Sequence, residues 1–171
     1  INFLRAYPSS AYLFAKFINK HNLSLNLRAV FTSSETLLPE FRLEIEKAFK
    51  CSVVDSYGHS EPGCYAVGQC SEGNYVIPSE NVFLELSDTG SMIETALNNF
   101  SMPFIRYEIG DLAESMGNEC KCGIKLPCLR KLKGRKDDIL KILGRKIPPA
   151  GLNQIFKGVN VKMGQIRQTS D

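Results

Sequence analysis

Residues 27–58, LRAVFTSSETLLPEFRLEIEKAFKCSVVDSYG, alternate short apolar, β-branched runs with one amphipathic stretch. LRAVFTSS predicts a buried strand over residues 27–32 that empties into a polar turn. Pro39 then opens a helix, PEFRLEIEKAFK, with Phe41, Ile45 and Phe49 on one face and Glu44 turned toward charged neighbours. CSVVDSYG is a second short strand closed by a glycine turn. Upstream, Pro8 and Ser9 signal a helix over residues 9–22, with an apolar stripe at Ala11, Leu13, Phe14, Ala15, Phe17 and Ile18. The aromatics Phe14, Phe17, Phe41 and Phe49 are expected in the core, and His21 as a C-terminal cap or surface residue. Helix, strand, helix, strand is the order of a parallel sheet with crossover helices, so the expected class is α/β.

Beyond Gly63 the texture changes. NVFLELS (residues 81–87) and residues 91–95 read as antiparallel strands joined by Asp88, Thr89 and Gly90. A strand over residues 104–107 runs into a Gly110-Asp111 turn. Residues 120–127 form a loop or knuckle, ILKILGRKIPP a strand-turn-strand, and AGLNQIF the start of a helix. The expectation is a parallel sheet with crossover helices, then a β-rich subdomain, then the start of a small α+β C-terminal domain. The boundary falls in the charged stretch from Arg135 to Asp138, giving domains 1–136 and 137–171.

With 171 residues, 43% of them hydrophobic, the chain can build a core without staples, so its six cysteines do not demand a disulfide scaffold. Cys51, Cys64, Cys70 and Cys128 are scattered, whereas Cys120 and Cys122 form a close pair. A reducing, cytoplasmic setting with a metal site at that pair is the reading they favour, with free thiols as the alternative. The net charge of +3 is mild, but basic residues concentrate between Lys121 and Lys146. Without interleaved aromatics this stretch suits a nucleotide phosphate better than nucleic acid. No apolar run approaches the roughly 20 residues of a membrane helix, and no secretory signal is visible. INFLRAYPSS reads as the middle of an element and GQIRQTSD stops without a capping signal, which points to a piece of a longer chain.

Three polar clusters each follow an expected strand: TSSE (residues 32–35), SYGHSEPG (56–63) and RYEIGD (106–111). In parallel-sheet folds ligands bind beyond the carboxyl ends of strands, so these clusters are binding-site candidates. Glycine beside Tyr57 permits close approach to the backbone. Ser60 can donate to a phosphate oxygen, and Glu61 is a hard oxygen ligand suited to Mg²⁺. Asp111, on a tight turn, can accept from two vicinal hydroxyls, as a ribose presents them.

Taken in order, the clusters carry a resemblance. SYGHSEPG resembles the Tyr-Gly-x-Thr/Ser-Glu motif of the adenylate-forming acyl-ligase superfamily. FIRYEIGDLA resembles its Arg-Tyr-x-x-Gly-Asp motif, GRKDDILKILGRKI its Gly-Arg-x-Asp-Asp hinge, and TSSETL stands where its adenine-bordering loop lies. NFSMPFIRYEIGD and CKCGIKLPCLRKLKGRKDDIL point within it to the phenylacetate–coenzyme A ligase and CapK-like capsular polysaccharide group. The resemblance covers nearly all of the chain. It implies a two-step reaction: a carboxylate attacks the α-phosphate of ATP, and a thiol, often coenzyme A, then takes the acyl group. It implies that Ser34 and Glu35 border the adenine, with Tyr57 and Gly58 against it. Ser60 would meet the α-phosphate, Glu61 the Mg²⁺, Asp111 the ribose hydroxyls, and Arg135 the ribose or phosphate. Asp137 would be the hinge about which a small C-terminal domain swings.

The sequence departs from that pattern in two places. Nothing in it resembles the superfamily's Ser/Thr/Gly-rich phosphate loop, and the lysine that usually assists adenylation is not visible. The expected partners are therefore a small-molecule carboxylate and the missing N-terminal part of the same enzyme, and the chain alone is expected to be inactive or nearly so. Cys120-Lys-Cys122-Gly resembles a knuckle of CapK-like members, some of which hold zinc; Cys70 is a plausible third ligand. Val76 stands near the place where the family often has a histidine, and Cys128, Cys64 or His59 stay open as the fourth. The rival readings are a non-catalytic nucleotide-binding or zinc-stabilised interaction module, and a nucleic-acid binder using the basic stretch.

Overall fold

The computed structural model describes residues 2–61, 68–114, 116–117, 120–142, 144–147 and 164–169. Three parallel strands open the chain: β1 (Phe3–Ala6), β2 (Ala29–Ser33) and β3 (Ser52–Ser56), in the order β1-β2-β3. Helix α1 (Pro8–Lys20) connects the first two and α2 (Pro39–Phe49) the second two. Each helix starts on proline, whose missing N–H sits where no intrahelical partner exists. His21 caps α1, as expected, and Lys50 ends α2 in the left-handed conformation at φ 52°.

Both helices cover one face of this sheet. Ala11, Ala15 and Ile18 of α1 meet Ile45, Ala48 and Phe49 of α2 over Val30 and Val53 of the strands. Tyr12 stacks on Phe41 at 4.2 Å, closing the helix–helix seam. Two aromatics expected inside lie at the surface: Phe14 is 38% and Phe17 52% exposed. They share the helical stripe, but the small residues Ala11 and Ala15 bring the helix backbone against the sheet and leave the bulky neighbours at its margin. Among the described residues Glu44 forms no ion pair; its carboxylate accepts from the Asn19 amide at 2.7 Å. β1, FLRA, lies at one edge of the three-stranded sheet.

The second half is antiparallel. β5 (Val82–Leu86) and β6 (Ser91–Ala96) form the expected hairpin, turned at Gly90 with φ 83°. β7 (Tyr107–Ala113) joins β6, and β10 (Leu132–Arg135) joins β7, in the order β10-β7-β6-β5. The short strands β4 (Tyr75–Val76), β8 (Met116–Gly117) and β9 (Cys128–Leu129) make a third sheet, ordered β4-β9-β8. Tyr75, Ile77, Val82, Leu84, Met92, Ile109, Ala113 and Leu129 build this region's core. A 3₁₀ turn at Lys136–Asp138 follows β10, and β11 (Leu140–Ile142) pairs with β12 (Arg145–Ile147) as the expected strand-turn-strand. The helix expected at residues 150–156 lies outside the described residues.

Two local expectations are corrected, the first being the strand expected over residues 104–107, which begins only at Tyr107. Gly110 and Asp111 are not a turn after a strand but the middle of β7. Ser91 pairs with Leu112 and Ile93 with Glu108, so two steps along β6 span four along β7. That bulge, with Gly110 at φ 82°, bends β7 and re-aims the side chains beside it. A side chain at position 110 would be strained at this φ, and its Cβ would stand 3.1 Å from the Arg135 guanidinium.

Candidate functional site

The carboxyl ends of the parallel strands present the first polar group. β2 ends at Ser33, and Ser34 follows at φ 71°, an unusual conformation for a residue with a side chain. Ser33 and Ser34 line a cavity of about 420 Å³ together with Arg5, Ala6, Tyr7 and Ser10. Glu35 is engaged by α1. Its carboxylate accepts from the Ser9 amide at 3.0 Å and the Ser9 hydroxyl at 3.1 Å, tying the loop to the first turn of α1. A carboxylate suits that position because the first N–H groups of a helix lack partners and carry partial positive charge.

Beneath this edge sits a buried network. Thr32 and Asp55 are register partners on β2 and β3, and the Thr32 hydroxyl donates to Asp55 at 2.6 Å. The Tyr75 hydroxyl donates to the other Asp55 oxygen at 2.7 Å, so a buried carboxylate is held by two donors. Burial, then the neighbouring Asp55 charge, pushes the Tyr75 phenol far above its ordinary range.

The chain leaving β3 crosses to the antiparallel sheet. The Tyr57 hydroxyl donates to Asp111 Oδ2 at 2.5 Å and lies 3.8 Å from Met92 Sδ. Arg135 is the register partner of Asp111 across β10 and β7; its Nη1 stands 3.9 Å from Asp111 Oδ1 and its Nη2 donates to the Ile109 carbonyl at 3.5 Å. The Arg135 side chain is exposed while that of Asp111 is largely covered. With the guanidinium exposed and 3.9 Å away, the pair is weak, on the order of 1 kcal/mol, so Arg135 can turn to a ligand at little cost. Tyr57, Asp111 and Arg135, drawn from three motifs, thus share one spot. Gly58 and Ser60 lie exposed on the loop between. Asp137 is exposed in the 3₁₀ turn; its neighbour Lys136 pairs with Glu108 at 2.9 Å. The hydrogen bond with Lys136 lowers the Glu108 carboxyl, and the same bond raises the Lys136 amine.

At this junction Glu94 carried no signal in the motifs, and His59, open in the sequence as a zinc ligand, meets it instead. Glu94, on β6, is 1% exposed, and His59 Nε2 approaches its Oε2 to 2.9 Å. His59 Nδ1 stands 3.8 Å from Glu61 Oε2, which also accepts the Ser60 amide at 3.1 Å. The His59–Glu94 approach lies within ion-pair distance but lacks the alignment of a hydrogen bond, leaving both groups without an aligned partner among the described residues. The one clue in the sequence was a glutamate at an inward position of SMIETA, in step with Met92.

The third cluster is of thiols. Sγ atoms of Cys70, Cys120 and Cys122 lie within 4.8 Å of one another, with Cys70 and Cys120 3.5 Å apart. Two similar turns deliver them: the Gly73 amide donates to the Cys70 carbonyl, the Gly123 amide to that of Cys120, and both glycines have positive φ. The Cys122 backbone N–H, then the Asn74 amide, favour the Cys120 thiolate and bring its pKa down to about 7. For Cys122 the Ile124 N–H favours the thiolate, but the hydrogen bond to Cys120 and desolvation outweigh it and push it up to about 11. Of the residues left open for a fourth ligand, His59 is engaged at Glu94 and Cys128 is buried in β9, its thiol raised chiefly by burial. Cys64 lies outside the described residues.

No family model matches the chain. Protein CapK of Staphylococcus aureus is 30% identical over 146 residues, covering 81% of this chain and 32% of its own length. Phenylacetate-coenzyme A ligase of Thermus thermophilus is 26% identical over 169 residues, 89% of this chain and 38% of that protein. Among solved structures, 2-hydroxyisobutyryl-CoA ligase in an open conformation, in complex with 2-HIB-AMP and CoA, superposes with a TM-score of 0.69 at 27% identity. It covers 89% of this chain and 41% of that one. The chain therefore spans about a third of the length of the curated relatives it matches. It is a distant homologue of the adenylate-forming CoA ligase superfamily, related to CapK and phenylacetate-coenzyme A ligase over most of its own length.

Proposed function

We propose that this chain is the adenine- and ribose-facing part of an ATP-dependent ligase that activates a carboxylate as its acyl-adenylate and passes the acyl group to a thiol such as coenzyme A. The observation that carries the reading is the meeting of Tyr57, Asp111 and Arg135, the first two being 54 residues apart in sequence. Asp111 offers one oxygen to Tyr57 and has the other facing Arg135, an arrangement suited to accepting ribose hydroxyls while the guanidinium meets ribose or phosphate. Ser34 and the Tyr57–Gly58 backbone border the adenine. Glu35 holds that border in place through Ser9, so its part is architectural. Ser60 donates to the α-phosphate.

Glu61 has 57% of its side chain exposed and is free of strong cationic partners among the described residues, which fits a hard oxygen ligand for Mg²⁺. When bound, magnesium supplies charge neutralisation at the phosphates. Asp137, in the turn that follows the last strand of the main sheet, is the hinge residue. The three thiols suit a structural zinc ion that pins the loop before this hinge, and a reducing, cytoplasmic setting keeps them available.

The test is equilibrium titration of the chain with AMP. Asp111→Ala is expected to weaken binding roughly tenfold or more, the cost of removing hydrogen bonds to a charged acceptor. Equal AMP affinity in the variant and the original chain would remove the ribose assignment. A second reading, a non-catalytic zinc-stabilised nucleotide-binding module, is favoured by the thiol cluster. It predicts AMP binding with no acyl-adenylate formed even when the remainder of such a ligase is supplied.

A further inference from the structure

A carboxylate on the inward face of a strand is costly, and an apolar residue at the same place would serve the core as well or better. Glu94 occupies such a place on β6 beside the fully buried Met92. Packing therefore does not explain it, and the group nearest to it does. His59 comes from the loop after β3, its side chain 13% exposed and its ring edge-on to Tyr57 at 6.1 Å. Its Nε2 faces Glu94 at 2.9 Å, and its Nδ1 faces Glu61 at 3.8 Å. A line of polar groups thus runs from the interior, Glu94 to His59 to Glu61, and emerges at the exposed carboxylate.

The same loop has a second anchor, Tyr57 on Asp111. The two anchors land on adjacent strands, β6 and β7, where Glu94 is the register partner of Tyr107. Between and just beyond them the loop carries Gly58, Ser60 and Glu61, the groups assigned to phosphate and metal. Imidazole suits the link because each ring nitrogen addresses a different partner, and a carboxylate on one nitrogen fixes the orientation of the other. Neither His59 nor Glu94 has its hydrogen-bonding capacity filled by an aligned partner among the described residues. Such slack is out of place in a purely structural pair but expected of one completed when a ligand draws Glu61 into position.

We propose that Glu94 and His59 form a positioning pair that sets the Glu61 carboxylate for the metal-bound phosphates of the nucleotide. The proposal rests on the nucleotide reading above. His59 is a positioning residue, acting through Glu61, whose carboxylate stands 3.8 Å from its Nδ1.

The experiment titrates the chain with AMP in the absence of metal and with ATP in the presence of Mg²⁺, alongside thermal melts. The variants are His59→Gln, Glu94→Gln, Glu61→Gln and the double variant His59→Gln/Glu61→Gln. His59→Gln and Glu94→Gln are expected to weaken magnesium–ATP binding about tenfold, the usual scale for groups that orient a metal ligand, while leaving metal-free AMP within about twofold. The double variant is expected to bind magnesium–ATP no more weakly than Glu61→Gln alone, since the effect passes through Glu61. Equal losses for both ligands with a lowered melting point would reduce the pair to packing, and no loss for either would make it idle; both overturn the proposal. Should Glu94→Gln fail to fold, His59→Gln, nearer the surface, carries the comparison. If the unaltered chain binds neither ligand, the nucleotide reading itself falls and this proposal with it. If it binds both and the variants do not separate them, only this proposal is lost.

Discussion

Tyr75 and Asp55 illustrate how much rests on single atoms. The Asp55 carboxylate is tolerable inside because Thr32 and Tyr75 donate to its two oxygens. Tyr75→Phe keeps the shape and removes one donor, so a loss of about 1–3 kcal/mol in urea unfolding is expected. The pH dependence follows from the raised phenol. Above the unfolded value of about 10 the unfolded chain releases this proton while the folded chain keeps it, so stability falls as pH rises through that range. Below it the group contributes no slope. Melting midpoints recorded from pH 8 upward should therefore decline more steeply beyond pH 10 in the unaltered chain than in Tyr75→Phe. Parallel curves would show that Tyr75 ionises as freely folded as unfolded. Gly110-Asp111 reads locally as a turn, and its place inside β7 is not visible from its neighbours in sequence. Gly-Asp suits a turn, and the bulge that accommodates it depends on pairing with β6, whose residues pair with β7 across 13 to 21 positions.

At the scale of elements, the two cysteine turns make one prediction. The turns at 70–73 and 120–123 each place a glycine at positive φ and bring three sulfurs together from positions 50 apart. Purified under reducing conditions, the chain is expected to carry zinc at about one ion per chain, and chelation should lower its melting midpoint. Cys122→Ser should lose both the metal and the response to chelator. Zinc far below one per chain, with identical melts before and after chelation, would leave these residues as free thiols. The pair 120–122 was visible as spacing, but the joining of Cys70 to it was an extrapolation from resemblance until the fold placed the turns side by side. Helix α1 teaches the complement: a stripe at helical spacing identifies a face, yet Phe14 and Phe17 fall at its margin because the small residues on that face sit closest to the sheet.

For the molecule as a whole, the parallel sheet has helices on one face, and the other carries Phe3 and Phe31, in ring contact at 6.0 Å and partly exposed. Parallel sheets ordinarily have both faces covered. The chain also spans about a third of its curated relatives, and nothing in its sequence resembles the phosphate loop of the superfamily. ATP–pyrophosphate exchange by the chain alone is therefore expected at or near background with any carboxylic acid supplied. Robust turnover would mean that the groups described suffice without that loop. Among the described residues no helix is long and apolar enough to cross a membrane.

The order of elements from α1 to β3, and the β5–β6 hairpin, were readable from the chain, because periodicity, proline starts and glycine turns act within a few residues of one another. The motifs TSSE, SYGHSE and RYEIGD could likewise be picked out as candidates from their residue types. Which of those groups face each other is a matter of long-range pairing. It was the fold that gave Glu35 to Ser9, Tyr57 to Asp111, and His59 to a glutamate buried 35 residues further on. Local sequence cannot encode such partnerships alone. They arise when two sheets of different kinds, each with its own buried cluster, come together in the fold.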